Sequence, residues 1–248
     1  MKSIFITGAT TGIGLKLAEL YLLDGHRVGI TGRNLSKVEA SFKEKFPKLE
    51  LFEVDVTHVE EMDKVINGFA AKGLDIIVAN AGISYGSKSK RPNIQVTRDI
   101  INTNLMGVIN TFGPALDIFE KSGRGHLVAI ASVAGMVGLP GASAYSASKS
   151  AVMKLCESYA LDLPDMGIDV TTICPGFIDT PLTKKNDHSM PFIMSVDKGG
   201  ELIKNAIDTK KVLFIFPWQM SFAIHFLKYL PRFLYRFVMK LPVANYSK

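Results

Sequence analysis

Seven short apolar runs, at 3–7, 27–31, 49–54, 74–79, 125–131, 168–173 and 211–216, alternate along the chain with stretches of helical apolar spacing. Short runs of this kind suit strands. Strands that alternate with helices pair in parallel, because a parallel neighbour is reached only through a crossover long enough to hold a helix. The pattern predicts an α/β chain: a doubly wound parallel sheet of about seven strands with helices on both faces. A chain of 248 residues can bury one large core and falls within the range of single α/β domains. No linker, repeat or low-complexity segment interrupts it. The first strand begins at residue 3, which leaves no room for a signal or transit peptide, so a cytoplasmic location is expected. Cys156 and Cys174 show no metal-ligand spacing. They are expected to be buried free thiols of a reducing compartment, and no metal is expected.

Residues 3–14 read Ser-Ile-Phe-Ile-Thr-Gly-Ala-Thr-Thr-Gly-Ile-Gly, and helical spacing follows over Leu15–Leu23. Strand, glycine turn and helix form the context in which a glycine-rich motif binds a dinucleotide. Gly8 would permit the tight turn, Gly12 would let the backbone approach a pyrophosphate, and Gly14 would let the helix pack closely on the strand. The helix N-terminus offers free N–H groups and a partial positive charge to the phosphates. An ordinary tight turn between a strand and a helix would carry the same glycines.

A second feature lies far downstream. Tyr145 and Lys149 stand four residues apart, so on a helix they project from one face, one turn from each other. A tyrosine with an ordinary pKa of about 10 exchanges protons poorly near neutral pH. A cation fixed close by favours the phenolate and lowers that value, which would make the pair a general acid and base. Taken alone, the same spacing suits a solvated surface pair.

Thr7-Gly8-x-x-x-Gly12-x-Gly14 has three residues between its first two glycines, where the usual dinucleotide fingerprint has one. Here the chain resembles the classical short-chain dehydrogenase/reductase family, over about residues 1–216. The resemblance rests on motifs in family order: Asp55-Val56 closing the third strand, Asn80-Ala81-Gly82 after the fourth, and Asn104 in the next helix. Ser132 then ends the fifth strand, Tyr145 and Lys149 follow, and Pro175-Gly176, with Ile178 and Thr180, comes after the sixth. It implies a Rossmann-like fold and an oxidoreductase that interconverts a carbonyl and an alcohol.

By alignment to the family, the position that carries a carboxylate in NAD-specific members is Gly32, and Arg33 follows. Without the carboxylate a 2′-phosphate meets no repulsion, and a guanidinium can grip it as a fork. The cofactor is therefore expected to be NADP(H) in preference to NAD(H). A surface arginine in a turn would read the same way. Some relatives carry a second basic residue in the glycine loop; this chain has Thr10 and Thr11 there, so a moderate preference is expected.

The resemblance also implies roles. Tyr145 would give a proton to the carbonyl oxygen as hydride arrives, and take it back in reverse. Lys149 would lower the tyrosine pKa and hold the nicotinamide ribose. Ser132 would position the substrate oxygen, or simply cap a strand end. Asn104 would hold a water linking Lys149 to solvent, or satisfy backbone. Thr180 would bind the nicotinamide carboxamide. Gly8, Thr10, Gly12, Ile13, Gly14, Arg33, Asp55, Val56, Ala81, Gly82, Pro175, Gly176 and Ile178 would line the cofactor site. Asn80 would tie strands together beside it. Relatives that only sense the dinucleotide or act as scaffolds form the other function class, and they usually lose the tyrosine or lysine kept here.

Two segments are individual. The variable loop 181–198 holds Met190, Pro191, Phe192, Ile193 and Met194, which suit either a hydrophobic substrate pocket or a helix packed on the core. Residues 217–248 extend past the last strand as an amphipathic helical extension. The chain has 29 Lys and Arg against 23 Asp and Glu; seven of the cations and none of the acids lie in 209–248. The net charge of +6 is thus a property of the tail, and nucleic-acid binding is a poor reading of it. Lys228, Arg232, Arg236 and Lys240 recur every four residues, offset by two from Phe226, Leu230, Leu234 and Val238. Two residues is about 200° on a helix, so the rows should lie on opposite faces, with Pro231 as a kink or split. Such a helix fits a peripheral contact in a membrane interface, a packed lid or a subunit contact; it is too charged to span. The long helices at about 93–121 and 144–163 are those through which the family commonly pairs, so a homodimer is expected.

Overall fold

The computed structural model describes residues 1–85, 91–185 and 190–240, Lys185 by its backbone alone. Seven strands form one sheet: β1 (Ser3–Ile6), β2 (Arg27–Gly32), β3 (Leu49–Glu53), β4 (Ile76–Ala79), β5 (Gly125–Ile130), β6 (Ile168–Pro175) and β7 (Leu213–Phe216). Their order is β3-β2-β1-β4-β5-β6-β7, and every pairing is parallel. All seven predicted strands are present, with ends moved by a residue or two.

Register sorts the side chains between two cores. Ile4 stands beside Val28 and Ile76, and this row enters one core. Phe5, Ile77 and Leu127 form the next row and enter the other. Helices α1 (Gly12–Leu23) and α7 (Val196–Asp208) close the first core with Leu17, Ala18, Tyr21, Ile203 and Ile207. Helices α3 (Val59–Ala70), α5 (Gly107–Ser122) and α6 (Ser143–Asp162) close the second with Met62, Ile66, Phe112, Phe119 and Val152. Both faces of the sheet are thus covered, which is why its strands read as apolar runs.

Local signals set the helix ends. Asn93 caps α4 (Ile94–Ile101) by accepting from the Val96 N–H at 3.2 Å, and Ser195 caps α7 through Lys198 N–H at 3.3 Å. Gly123, at φ 64°, ends α5. The helix expected over 93–121 is not continuous: a π-helical turn, Asn102–Met106, separates α4 from α5. The wider turn carries Asn104, whose side chain is fully buried. A short helix α2 (Ala40–Lys45) precedes β3.

Beyond β7 the chain forms α8 (Trp218–Tyr229) and α9 (Arg232–Val238), split at Pro231 as the sequence suggests. The predicted opposition of a basic and an apolar row does not hold across that split. Leu230 and Val238 are half-buried while Phe226 and Leu234 are exposed. A break of two residues resets the helical phase, so a four-residue step no longer marks one face. Residues 241–248, with Lys248, lie outside the described residues, as do 186–189 of the variable loop. In that loop Met194 packs on the first core, whereas Phe192 and Ile193 face solvent. Cys156 and Cys174 are buried free thiols, as expected.

Candidate active site

Strand order reverses between β1 and β4, and a crevice opens at the carboxyl ends of such strands. Two hollows meet there, of about 320 Å³ and about 160 Å³. Gly8, Thr11, Gly82, Pro181 and Leu182 line both, so they form one cleft.

The glycine loop is shaped by close approach. Gly8 lies at φ 61°, and a Cβ there would fall 2.5 Å from Ala81 Cα. A Cβ on Gly14 would fall 2.7 Å from Ala9 Cα, so α1 seats directly on the strand end. Asn80 secures the arrangement: its amide donates to the carbonyls of Thr7 at 2.9 Å and Gly8 at 3.0 Å. It ties β1 to β4, the role expected of it.

The larger hollow holds Thr10, Arg33, Asp55, Val56, Ala81 and Gly82. Asp55 and Val56 follow β3 rather than closing it, since that strand ends at Glu53. One Asp55 carboxylate oxygen accepts from the Thr57 N–H at 3.0 Å and its hydroxyl at 2.9 Å; the other stands 3.7 Å from Arg33. Arg33 is 64% exposed, so this pairing is weak and leaves the guanidinium available. Lys37, which sequence reasoning missed, lines the same hollow from the turn after β2. Its only signal was a second cation four residues after Arg33. Thr31, Asn34, Ile83, Ser84 and Thr103 are further lining residues not anticipated.

The smaller hollow gathers Gly12, Ile13, Asn80, Ser132, Tyr145, Lys149, Pro175, Gly176, Ile178 and Thr180. Ser132 follows β5 and caps a short 3₁₀ turn, accepting from the Ala134 N–H at 3.2 Å. Tyr145 and Lys149 project from the first turns of α6 toward it. Thr180 is linked to Thr183, another unanticipated residue, with 3.3 Å between their hydroxyls. Of the predicted residues, only Gly14 and Asn104 do not line the cleft; both lie behind it.

The electrostatics differ from the expectation that Lys149 lowers the Tyr145 pKa. Lys149 is 4% exposed, and its ammonium donates to the Ile130 carbonyl at 2.7 Å. It lies 5.9 Å from the centre of the Tyr145 ring. Burial pushes the Tyr145 phenol up, and the nearby Ser132 hydroxyl opposes it. Burial also pushes Lys149 down to about 8. Helical spacing placed the two on one side; the carbonyl of a neighbouring strand then took the ammonium. Asn104 is occupied as well: it accepts from the Ile83 N–H at 2.8 Å and donates to the Ile83 carbonyl at 3.0 Å and the Ser148 hydroxyl at 3.1 Å. It holds the loop after β4 against α6.

Comparison with known proteins adds to this geometry. Residues 2–191 match the family described as short chain dehydrogenase. An uncharacterized oxidoreductase of Myxococcus xanthus is 36% identical over 94% of both chains. An uncharacterized oxidoreductase of Mycobacterium tuberculosis is 31% identical over 88% of both. Among solved structures, ElxO with NADP bound is 27% identical, with a TM-score of 0.76 over 86% of this chain and 96% of that one. A short chain dehydrogenase from Burkholderia cenocepacia in complex with NADP shares the fold at 21% identity, with a TM-score of 0.84 over 98% and 100%.

Proposed function

The chain belongs to the short-chain dehydrogenase family, and from that premise we propose that it interconverts a carbonyl and an alcohol on a hydrophobic substrate, with NADP(H) as cofactor. The cleft fits such a cofactor by its own features. Gly8 and Gly12 leave the loop without side chains at positive φ, and the N-terminus of α1 opens beside them. Arg33 and Lys37 line the end of the cleft beyond β2. NADPH supplies the hydride, or NADP⁺ accepts it.

The remaining chemistry belongs to the protein. As the carbonyl carbon takes the hydride, the Tyr145 hydroxyl gives its proton to the carbonyl oxygen. A phenol pushed up by burial stays protonated near neutral pH, which suits this direction. Ser132, which lines the same hollow as Tyr145, positions the substrate oxygen. Lys149, held down to about 8, can pass a proton onward near neutral pH and face the nicotinamide ribose. Thr180, steadied by Thr183, meets the carboxamide. A sensor or scaffold role would leave Ser132, Tyr145 and Lys149 together without a use.

The observation that carries the reading is the continuity of the cleft from Tyr145 and Lys149 at one end to Arg33 and Lys37 at the other. The test is oxidation of NADPH and NADH by the purified protein against aldehydes, ketones, steroids and 3-keto lipids. Turnover with NADPH on an apolar carbonyl supports it; no turnover with either cofactor across the panel removes it. The assembly follows the same reasoning. Ile94, Met106, Ile109 and Leu161 are exposed on α4, the π turn, α5 and α6, which suits pairing of two copies. A monomer mass by light scattering would reject a dimer.

A further inference from the structure

Trp218, Phe222, Phe226 and Tyr229 on α8, with Phe233 and Phe237 on α9, are all exposed, Trp218 at 74% and Phe233 at 71%. They follow one another at steps of three or four residues, so each helix carries a continuous aromatic row on its solvent side. The opposite side is anchored. Met220 and Ile224 of α8 are buried, as is Met239 just past α9. A Cβ on Gly176 would lie 3.2 Å from Met220 Cγ, and the Tyr235 hydroxyl donates to the Gly138 carbonyl. The aromatic rows therefore belong to a platform fastened to the wall of the cleft. An apolar surface this long is unusual for a chain with no partner.

Its charge points to what covers it. Lys228, Arg232, Arg236 and Lys240 are exposed beside the rows, and none forms an ion pair among the described residues. No acid lies between 209 and 248 to offset them. Lys210 differs, since it meets Asp169 of β6 at 2.6 Å. A two-fold contact with a second copy through this face would set the same four cations against themselves. An anionic bilayer surface accepts both features: Trp and Tyr sit at headgroup depth, Phe reaches the acyl boundary, and Lys and Arg meet the lipid phosphates. No helix among the described residues is long and apolar enough to cross a membrane.

We propose that the exposed aromatic rows of α8 and α9 dock the protein on the surface of an anionic lipid bilayer. Trp218 is the only tryptophan of the chain, so it reports on the first turn of the docking face. The experiment adds full-length protein to vesicles of phosphatidylcholine alone, or of phosphatidylcholine and phosphatidylserine in equal parts, at low salt. Tryptophan emission and flotation are read together. Wild type should float with the anionic vesicles and shift its emission to the blue, and do neither with phosphatidylcholine alone. The variant F222S/F233S/F237S changes only exposed side chains; folding is verified by circular dichroism, and it should bind anionic vesicles at least tenfold more weakly. R232Q/R236Q/K240Q should lose binding to a similar extent. The proposal is overturned if wild type stays soluble with anionic vesicles at low salt. Flotation with unshifted Trp218 emission, or wild-type binding by the phenylalanine variant, overturns it as well. If wild type does not float and its mass by light scattering halves in the phenylalanine variant, a second copy covers the face instead.

Discussion

Thr10 occupies the space that a side chain at Gly32 would need: a Cβ there would lie 2.4 Å from Thr10 Cγ2. By its resemblance to the family, Gly32 is expected to be the position where an NAD-specific relative carries a carboxylate. The glycine loop and the end of β2 are thus packed against each other in a form that leaves the carboxylate out. Gly32→Asp should weaken NADPH binding by at least tenfold, through repulsion of the 2′-phosphate, yet bring little NADH binding. Adding Thr10→Ala, which clears the collision, should restore binding of NADH. Titration of both cofactors into the single and double variants checks this. Equal NADH affinity in the two would show that Thr10 does not obstruct the position.

Arg33 and Lys37 are expected to share the 2′-phosphate. Replacing either by Ala should weaken NADPH binding by about 1.5 kcal/mol, in the range for a hydrogen bond to a charged group, or roughly tenfold. NADH binding should hardly change. Losses of the same size for both cofactors would mean that neither side chain reads the phosphate.

Tyr145→Phe removes the transferable proton and keeps the ring. Turnover should fall by about 100-fold or more, as for loss of a general acid. NADPH affinity should stay close to wild type, which separates chemistry from binding. A purified variant that retains turnover would take Tyr145 out of the reaction.

His126 gives a pH dependence outside the cleft. It is buried on β5, with its ring 2.8 Å from the Thr171 hydroxyl, and burial pushes it down to about 4. Its value in the unfolded chain is the ordinary 6.5. Between these two values the unfolded state binds the extra proton, so stability falls as pH falls from about 6.5 to about 4. The loss attributable to this group is on the order of 3 kcal/mol, from a shift of two to three units at about 1.4 kcal/mol each. Urea unfolding of wild type and His126→Gln at neutral pH and at the lower limit should show a smaller acid loss in the variant. Parallel losses in both proteins would assign the acid sensitivity elsewhere.

Much of this protein was set by local pattern. The seven apolar runs became seven parallel strands, because a strand covered on both faces needs apolar side chains at most positions. Gly8 and Gly14 marked the turn into α1, since only a residue without Cβ fits there. The four-residue spacing placed Tyr145 and Lys149 on one side of α6, as helical geometry requires. What distant segments bring together was decided by tertiary structure alone. Lys37 enters the cleft from the turn after β2, and Thr10 fills the place beside Gly32. Lys149 turns to the Ile130 carbonyl, so burial rather than the neighbouring cation governs Tyr145. The break at Pro231 reset the helical phase, and a row that a single helix would present became two rows of different residues. Periodicity fixes which residues share a face only while an element continues. Contacts across loops, and the desolvation they impose, depend on the whole chain folded.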